Sequence, residues 1–565
     1  MEDPHFSLLD DPWIIVHDRD GTPHTVGIRQ LFDGSVGASA IVGDSPTQDY
    51  AVLRVLLAIF WRAHHEEIAP QLGTRQARDE FTWKKWFPAM RRTLTSERRD
   101  EAVLDYLDRY EDRFNLFDAE RPFMQVADLD TEKKSRFAVS RIVPEAEHDY
   151  FTMRTGSGRK SLTFAEAARW LVHTQAYDYS GIKSGALGDP RVKGGRGYPI
   201  GTGWTGMTGG TVVMRETLLE TLLFNSTPEV IYGEHAASDL AAWERDADTA
   251  AQRIDPNPKG AADLATWQSR RVRLFPEEGL VTGVLVANGD QIPEAGKNIL
   301  ADPMTPYRYS ANKSKKGAPV YYSRPYDVNR TMWRALDPLI ATEKDPGFSE
   351  KNLAPIRPAT LESLGNLARD EILDREVLDL RVVSMEYGPQ ASSVGTVISA
   401  SVNLPVVFFE DDDLAQEARF AARSAAESTM KSATSVGWFA GQLHVAAGGD
   451  YVFGADATDR FLARLEPRFN QWLAGMDWDN LEETGQLWQR TVLAEAKTQA
   501  EELVSGAGPK ALVGRVVPPR NEGDNPTVIS AGGLRDALAR RLRKDLPLAH
   551  PRSSQDDQKQ KDTTS

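Results

Sequence analysis

The sequence predicts an α+β protein. A large mixed α/β N-terminal domain is expected over residues 1–409, a four-helix bundle over 410–548 and a disordered tail over 549–565. Three observations carry this. Residues 377–409 alternate apolar and polar side chains on two arms around a turn-rich tip, the pattern of a β-hairpin. Beyond Phe409 the chain becomes alanine-rich, charged and periodic in long runs. Residues 181–210 hold eleven of the chain's 43 glycines. That density excludes a packed helix, because each interior glycine costs roughly 1 kcal/mol relative to alanine.

Residues 6–16 predict an opening strand with a turn at Asp11-Pro12. A helix follows from Pro46, with Ser45 as its cap and proline at its first position, where the missing N–H costs nothing. Val52, Leu53, Leu56, Leu57, Phe60 and Trp61 recur at helical spacing and should face a core. The glycine stretch carries Lys183, Arg191, Lys193 and Arg196 against one acid, Asp189. It is expected to be a long loop system with accessible backbone. On the hairpin, Leu378, Leu380 and Val382 alternate with Asp379 and Arg381; Ile398, Ala400, Val402 and Leu404 alternate with Ser399, Ser401 and Asn403. Its tip is Tyr387 to Ser393. Helices are expected at 413–446, 457–475, 481–505 and 532–546, the last carrying Arg535, Arg540, Arg541, Arg543 and Lys544. From His550 the chain is polar and reads as disordered.

A net charge of −15 argues against a free-standing nucleic-acid binder, which usually shows a basic excess. Contact with nucleic acid would need local basic patches or partners that supply positive charge. With no cysteine, disulfides, thiolate zinc sites and thiol nucleophiles are excluded, which fits a cytoplasmic protein. The densest apolar run, Ala51 to Trp61, falls well short of the ~20 residues that span a bilayer. The N-terminus lacks the basic region and apolar core of a signal peptide. No membrane association is expected.

Catalytic motifs are largely missing. Gly201-Thr202-Gly203-Trp204-Thr205-Gly206 matches a dinucleotide fingerprint in letters, but no buried strand precedes it and no helix starts in it. No phosphate-binding loop, nucleophile elbow or His-Glu-x-x-His occurs. His64-His65-Glu66-Glu67 lacks the i, i+4 histidine pair of a zinc helix and is read as a solvated helix end. His148-Asp149 lacks identifiable metal-site partners and is read as a surface loop. No cofactor, metal or catalytic residue is assigned. A hydrolase with carboxylates distant in sequence stays open as an alternative.

Several ordered segments resemble the CasA family, the large subunit of the type I-E CRISPR Cascade complex. They are Leu8-Leu9-Asp10-Asp11-Pro12-Trp13-Ile14, Phe117-Asp118-Ala119-Glu120-Arg121-Pro122-Phe123-Met124-Gln125, Gly181-Ile182-Lys183-Ser184-Gly185, Tyr387 through Ser392, and the terminal helical region. Each is weak alone; their order over about 540 residues is specific.

The resemblance implies a non-catalytic protein of antiviral defence. It implies recognition of the protospacer-adjacent motif in double-stranded DNA from the minor groove, wedging of the duplex to start an R-loop, and help in recruiting a helicase–nuclease. The implied partners are other Cascade subunits, the CRISPR guide RNA, the DNA target and that effector. By this resemblance Tyr179, Ser180, Gly181 and Lys183 form the motif-reading loop. Here the run of glycines found in some members is reduced to one. The implied wedge is Pro389, Gln390, Ala391 and Ser392. Lys297 is the candidate lysine finger, with Lys313, Lys315 and Lys316 as a nearby basic cluster. Phe151, Arg154, Gly156, Gly158, Arg159 and Lys160 resemble a loop that contacts guide RNA and neighbouring subunits.

The chemistry suits those roles. A loop without Cβ atoms brings peptide groups close to a groove floor. A rigid hairpin can hold a side chain against a base step whose unstacking costs a few kcal/mol. Each feature also has a plain structural reading: a tightly packed glycine loop, a polar turn, a solvated loop, a basic helix end complementing its own dipole. A purely structural assembly protein therefore stands beside the DNA-reading subunit and the hydrolase.

Overall fold

The computed structural model describes residues 4–72, 81–144, 156–326, 331–517 and 526–550. The chain forms two compact units. The first comprises Met1–Val328, Ala341–Glu343 and Phe348–Val402; the second comprises Asn329–Ile340, Lys344–Gly347 and Asn403–Ser565. The α+β class expected from the sequence is the one observed.

In the first unit, β1 (Ile14–Asp18) pairs antiparallel with β2 (Pro23–Val26) and β3 (Ala38–Ile41). Helix α1 (Pro46–Ile68) starts where Ser45 accepts the Gln48 N–H at 3.2 Å. Its expected apolar residues are buried, but so are Tyr50, Ala51, Arg54, Val55, Ala58 and Ile59 on its other faces. The sequence understated this, because Arg54 looks like a break in the apolar run. The guanidinium instead enters the core and pairs with Asp302 at 2.8 Å, Tyr50 Oη lying 3.3 Å away.

The helix end also needs correction. His64 is buried, not solvated, and lies between Glu67 (2.8 Å) and Asp100 (3.1 Å). Burial opposes its charge, but the two carboxylates prevail and lift its pKa to about 9. His148 and Asp149 lie outside the described residues.

The next layer carries the site. Helix α2 (Phe164–Tyr177) opens with a capping box, Thr163 with Glu166. It leads into the glycine stretch, where β4 (Lys183–Ser184) and β5 (Arg196–Gly197) pair antiparallel. These join a long hairpin, β7 (Arg270–Glu277) with β8 (Leu280–Asn288), in the order β5-β4-β8-β7. The stretch is thus less open than a loop system: its two short strands are zipped onto a buried hairpin. Between them in sequence, β6 (Gly210–Met214) joins a second sheet with β11 (Val377–Tyr387) and β12 (Val394–Pro405), order β12-β11-β6. The expected hairpin is therefore present. A small antiparallel pair, β9 (Tyr307–Tyr309) with β10 (Tyr321–Ser323), completes the unit.

In the second unit, α3 (Asp413–Ala446) packs against α4 (Ala455–Ala474), α5 (Leu481–Gly506) and α6 (Ala531–Asp545), close to the four expected helices. Buried alanines 415, 418, 422 and 433 on α3 let neighbouring backbones approach. Trp488 anchors the core, its indole N–H donating to Thr429 Oγ1 at 3.0 Å. The break before α6 is more than a connector: it holds a short helix, Gly508–Val513, and a strand pair, β13 (Arg515–Val517) with β14 (Thr527–Ile529). Ala549 closes a helical turn, Pro547–Ala549, so ordered structure reaches past the expected start of the tail. Residues 551–565 lie outside the described residues. Among the described residues no helix is long and apolar enough to cross a membrane.

Candidate nucleic-acid interface

The C-terminal end of α2 turns directly into Tyr179-Ser180-Gly181. A buried charge cluster holds it there. The Asp178 carboxylate pairs with Arg141 (2.8 Å), with Lys183 Nζ (3.0 Å) and with Arg270 Nε. The Arg270 guanidinium also donates to the Asp178, Tyr179 and Gly201 carbonyls at 3.0, 2.9 and 2.9 Å, and Lys183 Nζ donates to the Tyr179 carbonyl at 2.8 Å. The Tyr179 ring lies 4.0 Å from Lys183 Nζ and 5.0 Å from the Arg141 guanidinium. Three cations thus lock one acid and the carbonyls around it.

Burial alone would raise the Asp178 carboxyl; Arg270, Arg141 and Lys183 outweigh it and hold it well below the usual carboxylate range. Lys183 yields in the other direction. Burial, with two guanidiniums beside it, pushes its ammonium down to about 7 in spite of Asp178. An unfolded chain keeps this proton up to about the ordinary 10.5. Across the window from about 7 to that value the unfolded state binds more protons, so the contribution of Lys183 to stability rises with pH. Lys183→Met should flatten this part of the profile. The check is a comparison of thermal midpoints at pH 7 and pH 9 for both proteins.

Two expected loop residues are corrected. Lys183 is 6 % exposed and turned into the cluster, so it does not offer a free ammonium to a phosphate; it fastens the loop. Ser180 is buried as well. Ile182, 58 % exposed, and half-buried Gly181 form the accessible rim.

The glycines separate by cause. A Cβ on Gly203 would meet the Gln175 carbonyl at 2.5 Å, and one on Gly206 would strike Tyr387 Oη. These glycines of the dinucleotide-like motif are needed for internal packing, and no strand-to-helix turn is present there. At Gly181 an added Cβ would meet nothing closer than the Tyr179 ring at 3.4 Å, an ordinary contact. Internal crowding therefore does not require glycine at 181.

The hairpin is tied to the same helix end. Tyr387 Oη donates to the Tyr177 carbonyl at 2.9 Å. Beyond it the Gly388 N–H donates to Ser393 O at 2.9 Å, and Ser392 Oγ to Pro389 O at 2.8 Å. Gln390 and Ala391 are consecutive left-handed residues, φ 57° and 52°. For non-glycine residues that costs about 1–3 kcal/mol each. Gln390 is exposed, and its side-chain amide has no hydrogen bond among the described residues.

Lys297 sits in a tight turn where Glu294, Ala295, Gly296 and Asn298 all have positive φ. The turn packs on the glycine stretch: a Cβ on Gly296 would lie 3.2 Å from the Trp204 ring. Lys297 is exposed and pairs with Glu294 at 2.8 Å. Asn298 holds β10 through Tyr321, and Lys313, Lys315 and Lys316 lie exposed on the β9–β10 connection. Phe151, Arg154 and the Arg159 side chain lie outside the described residues; Gly156 and Gly158 are in a helical turn beside exposed Lys160. On α6, Arg535 pairs with Glu501 and Arg541 covers the Trp438 ring at 4.0 Å.

Sequence reasoning missed Asp178, Arg141 and Arg270, which hold the loop. A signal for β7 was present, Val272 and Leu274 alternating after Arg270-Arg271, but nothing in it announces a buried guanidinium.

The chain's match to a family model over most of its length places it in the class of CRISPR-associated proteins. Thermobifida fusca Cse1 has a similar structure, with TM-score 0.78 and 33 % identity over 97 % of this chain and 99 % of that one. The family described as CRISPR-associated protein Cse1 matches residues 7–499, and the chain belongs to that family. CRISPR-associated protein CasA/Cse1 of Thermus thermophilus is 30 % identical over 285 residues, so the match spans about half of that relative: 49 % of it and 48 % of this chain. A chain of a solved CRISPR RNA-guided surveillance complex shares the fold, with TM-score 0.60 and 20 % identity over 89 % of this chain and 99 % of that one.

Proposed function

We propose that this protein is a non-catalytic subunit of a CRISPR RNA-guided surveillance complex. It reads the protospacer-adjacent motif from the minor groove and pries open the next base pairs. The carrying observation is the Tyr387–Tyr177 hydrogen bond, which ties wedge and reading loop to one helix end. A reader and a wedge must keep a fixed spacing to act on adjacent base pairs, and this bond supplies it.

In this reading Gly181 offers peptide groups to the groove floor and the buried cluster supplies rigidity. The minor groove mainly distinguishes A·T from G·C, so several flank sequences should be accepted. Gln390 enters below the flank. The guide–target heteroduplex replaces the lost duplex at near balance, so the wedge need only lower the nucleation barrier. Lys297, the 313–316 lysines and the 151–160 loop are further contacts to DNA, guide RNA or neighbouring subunits. Recruitment of the helicase–nuclease and antiviral defence complete the role. Membership fits the shared fold with a chain of a surveillance complex.

The test is a mobility shift of the reconstituted complex on duplex targets differing only in the flank. Wild type should discriminate among flanks. Gly181→Asp places a carboxylate against the duplex; it should lose the ~1–3 kcal/mol carried by a typical base-pair contact, about 5- to 150-fold in affinity. Equal binding by variant and wild type on every flank would refute the reading.

A further inference from the structure

Beside the Gly181 rim lies a cleft of about 460 Å³, within the range of ligand-sized sites. One wall is the segment Thr131 to Phe137, the floor includes Val286 and Lys183 to Gly185, and the other wall is Gly194 to Arg196. The second wall is a tight turn. Lys193 and Arg196 exchange backbone hydrogen bonds at 3.0 and 3.2 Å, and the two glycines between them have φ of 59° and 70°. This is the two-residue hairpin turn that needs positive φ at both central positions. The Gly185 N–H donates to the Gly195 carbonyl at 3.1 Å, and a Cβ on Gly185 would lie 2.5 Å from the Gly195 carbonyl carbon. The turn is therefore pinned to the strand that follows the Gly181 rim. On its outer side a Cβ on Gly194 or Gly195 would meet nothing.

The lining chemistry is specific. Lys133 and Arg196, on opposite walls, are exposed and have no side-chain partner among the described residues. Lys183 and Arg141 also line the cleft, but Asp178 engages both. Glu132 is the acid in the lining. At the same cleft Phe137 is 44 % exposed and Ile182 58 % exposed. Two unpaired cations lining one cleft with an exposed aromatic ring suit a phosphodiester with a base attached. Phosphates take Lys and Arg, and any base can stack on an aromatic face. A small inorganic anion would leave the ring unused, and an acidic peptide would meet Glu132 without needing Phe137.

We propose that this cleft seats one unpaired nucleotide of a strand running past the Gly181 rim, its phosphates between Lys133 and Arg196 and its base against Phe137. The inference rests on the DNA-reading role above and extends it. Once the duplex is opened beside the loop, a single strand must leave along this surface. The cleft gives it a fixed exit.

The test places the photoreactive residue p-benzoylphenylalanine at the site itself, as Phe137→p-benzoylphenylalanine, in the reconstituted complex. Guide RNA, target strand and displaced strand are end-labelled in separate samples. Illumination should attach one of them, and the labelled arm identifies whether guide or DNA supplies the nucleotide. Adding Lys133→Glu and Arg196→Glu should lower the adduct yield about tenfold or more, because two phosphate contacts are lost and reversed. No adduct with any strand, or a yield indifferent to the two charge reversals, overturns the proposal. The two readings fail separately. If Gly181→Asp and Gln390→Ala impair opening but no adduct forms, the cleft proposal falls and the reading loop stands. If the adduct forms but neither variant affects opening, the reverse holds.

Discussion

Replacing Asp178 by alanine is expected to destabilise the protein by about 3–5 kcal/mol, the cost of removing one partner from a buried ion cluster. The carboxylate is almost fully buried and touches Arg141, Lys183 and Arg270. Its removal leaves the Arg141 and Arg270 guanidiniums without their shared acid, Arg270 nearly sealed from solvent, and takes from Lys183 the one carboxylate that favours its ammonium. Arg270 would still bridge the Tyr179 and Gly201 carbonyls, so the loop should loosen rather than vanish. Asp178→Asn keeps the shape and some hydrogen bonds while losing the charge, and should fall between wild type and alanine. Denaturant unfolding measures the stability change. Hydrogen exchange at Tyr179 to Lys183 locates it, because exchange protection reports local opening. A loss spread evenly over the chain would argue against a clamp dedicated to the loop.

The second large effect is expected at Gln390. Gln390→Ala should leave folding nearly unchanged, since the side chain is exposed and its amide bonds to nothing among the described residues. Alanine also keeps the left-handed backbone no worse than glutamine does. In the complex, however, the variant should open targets about 10–100-fold more slowly. This is the rate equivalent of ~1.4–2.8 kcal/mol out of the few kcal/mol that unstacking one step costs. Stopped-flow fluorescence from an analogue base beside the flank measures it. Gln390→Gly is a useful companion: it relieves the backbone strain at φ 57° but removes the side chain, so it should be stable and equally slow.

Much of this architecture was legible in the sequence, for local reasons. The four long helices of the second unit are visible because apolar residues such as Phe461, Leu465 and Phe469 repeat with helical period. The β11–β12 hairpin is visible because Leu378, Leu380 and Val382 alternate with charged residues and a Gly-Pro tip follows. The start of α1 was readable from Ser45-Pro46 alone.

What escaped is carried by long-range charge pairing. Lys183 reads as a free cation in a basic loop because its acid, Asp178, reads equally well as a solvated residue. The other members of the cluster, Arg141 and Arg270, stand 37 and 92 positions from Asp178. The burial of His64 escaped likewise, since Asp100 is 36 positions away. The glycine stretch is more ordered than its composition implies. Its density announces irregular backbone but cannot separate glycines that let segments touch, such as Gly203 and Gly206, from Gly181, where nothing internal demands one.

In the proposed role, loop and hairpin act together on intact duplex, upstream of guide pairing. The most direct measurement compares association of the reconstituted complex with a fully paired target and with one already unpaired beside the flank, for wild type, Gly181→Asp and Gln390→Ala. On the paired target both variants should be slow; on the pre-opened target Gln390→Ala should recover wild-type rates and Gly181→Asp should recover much of them. Wild-type rates for both variants on paired DNA, or defects of equal size on both targets, would contradict it.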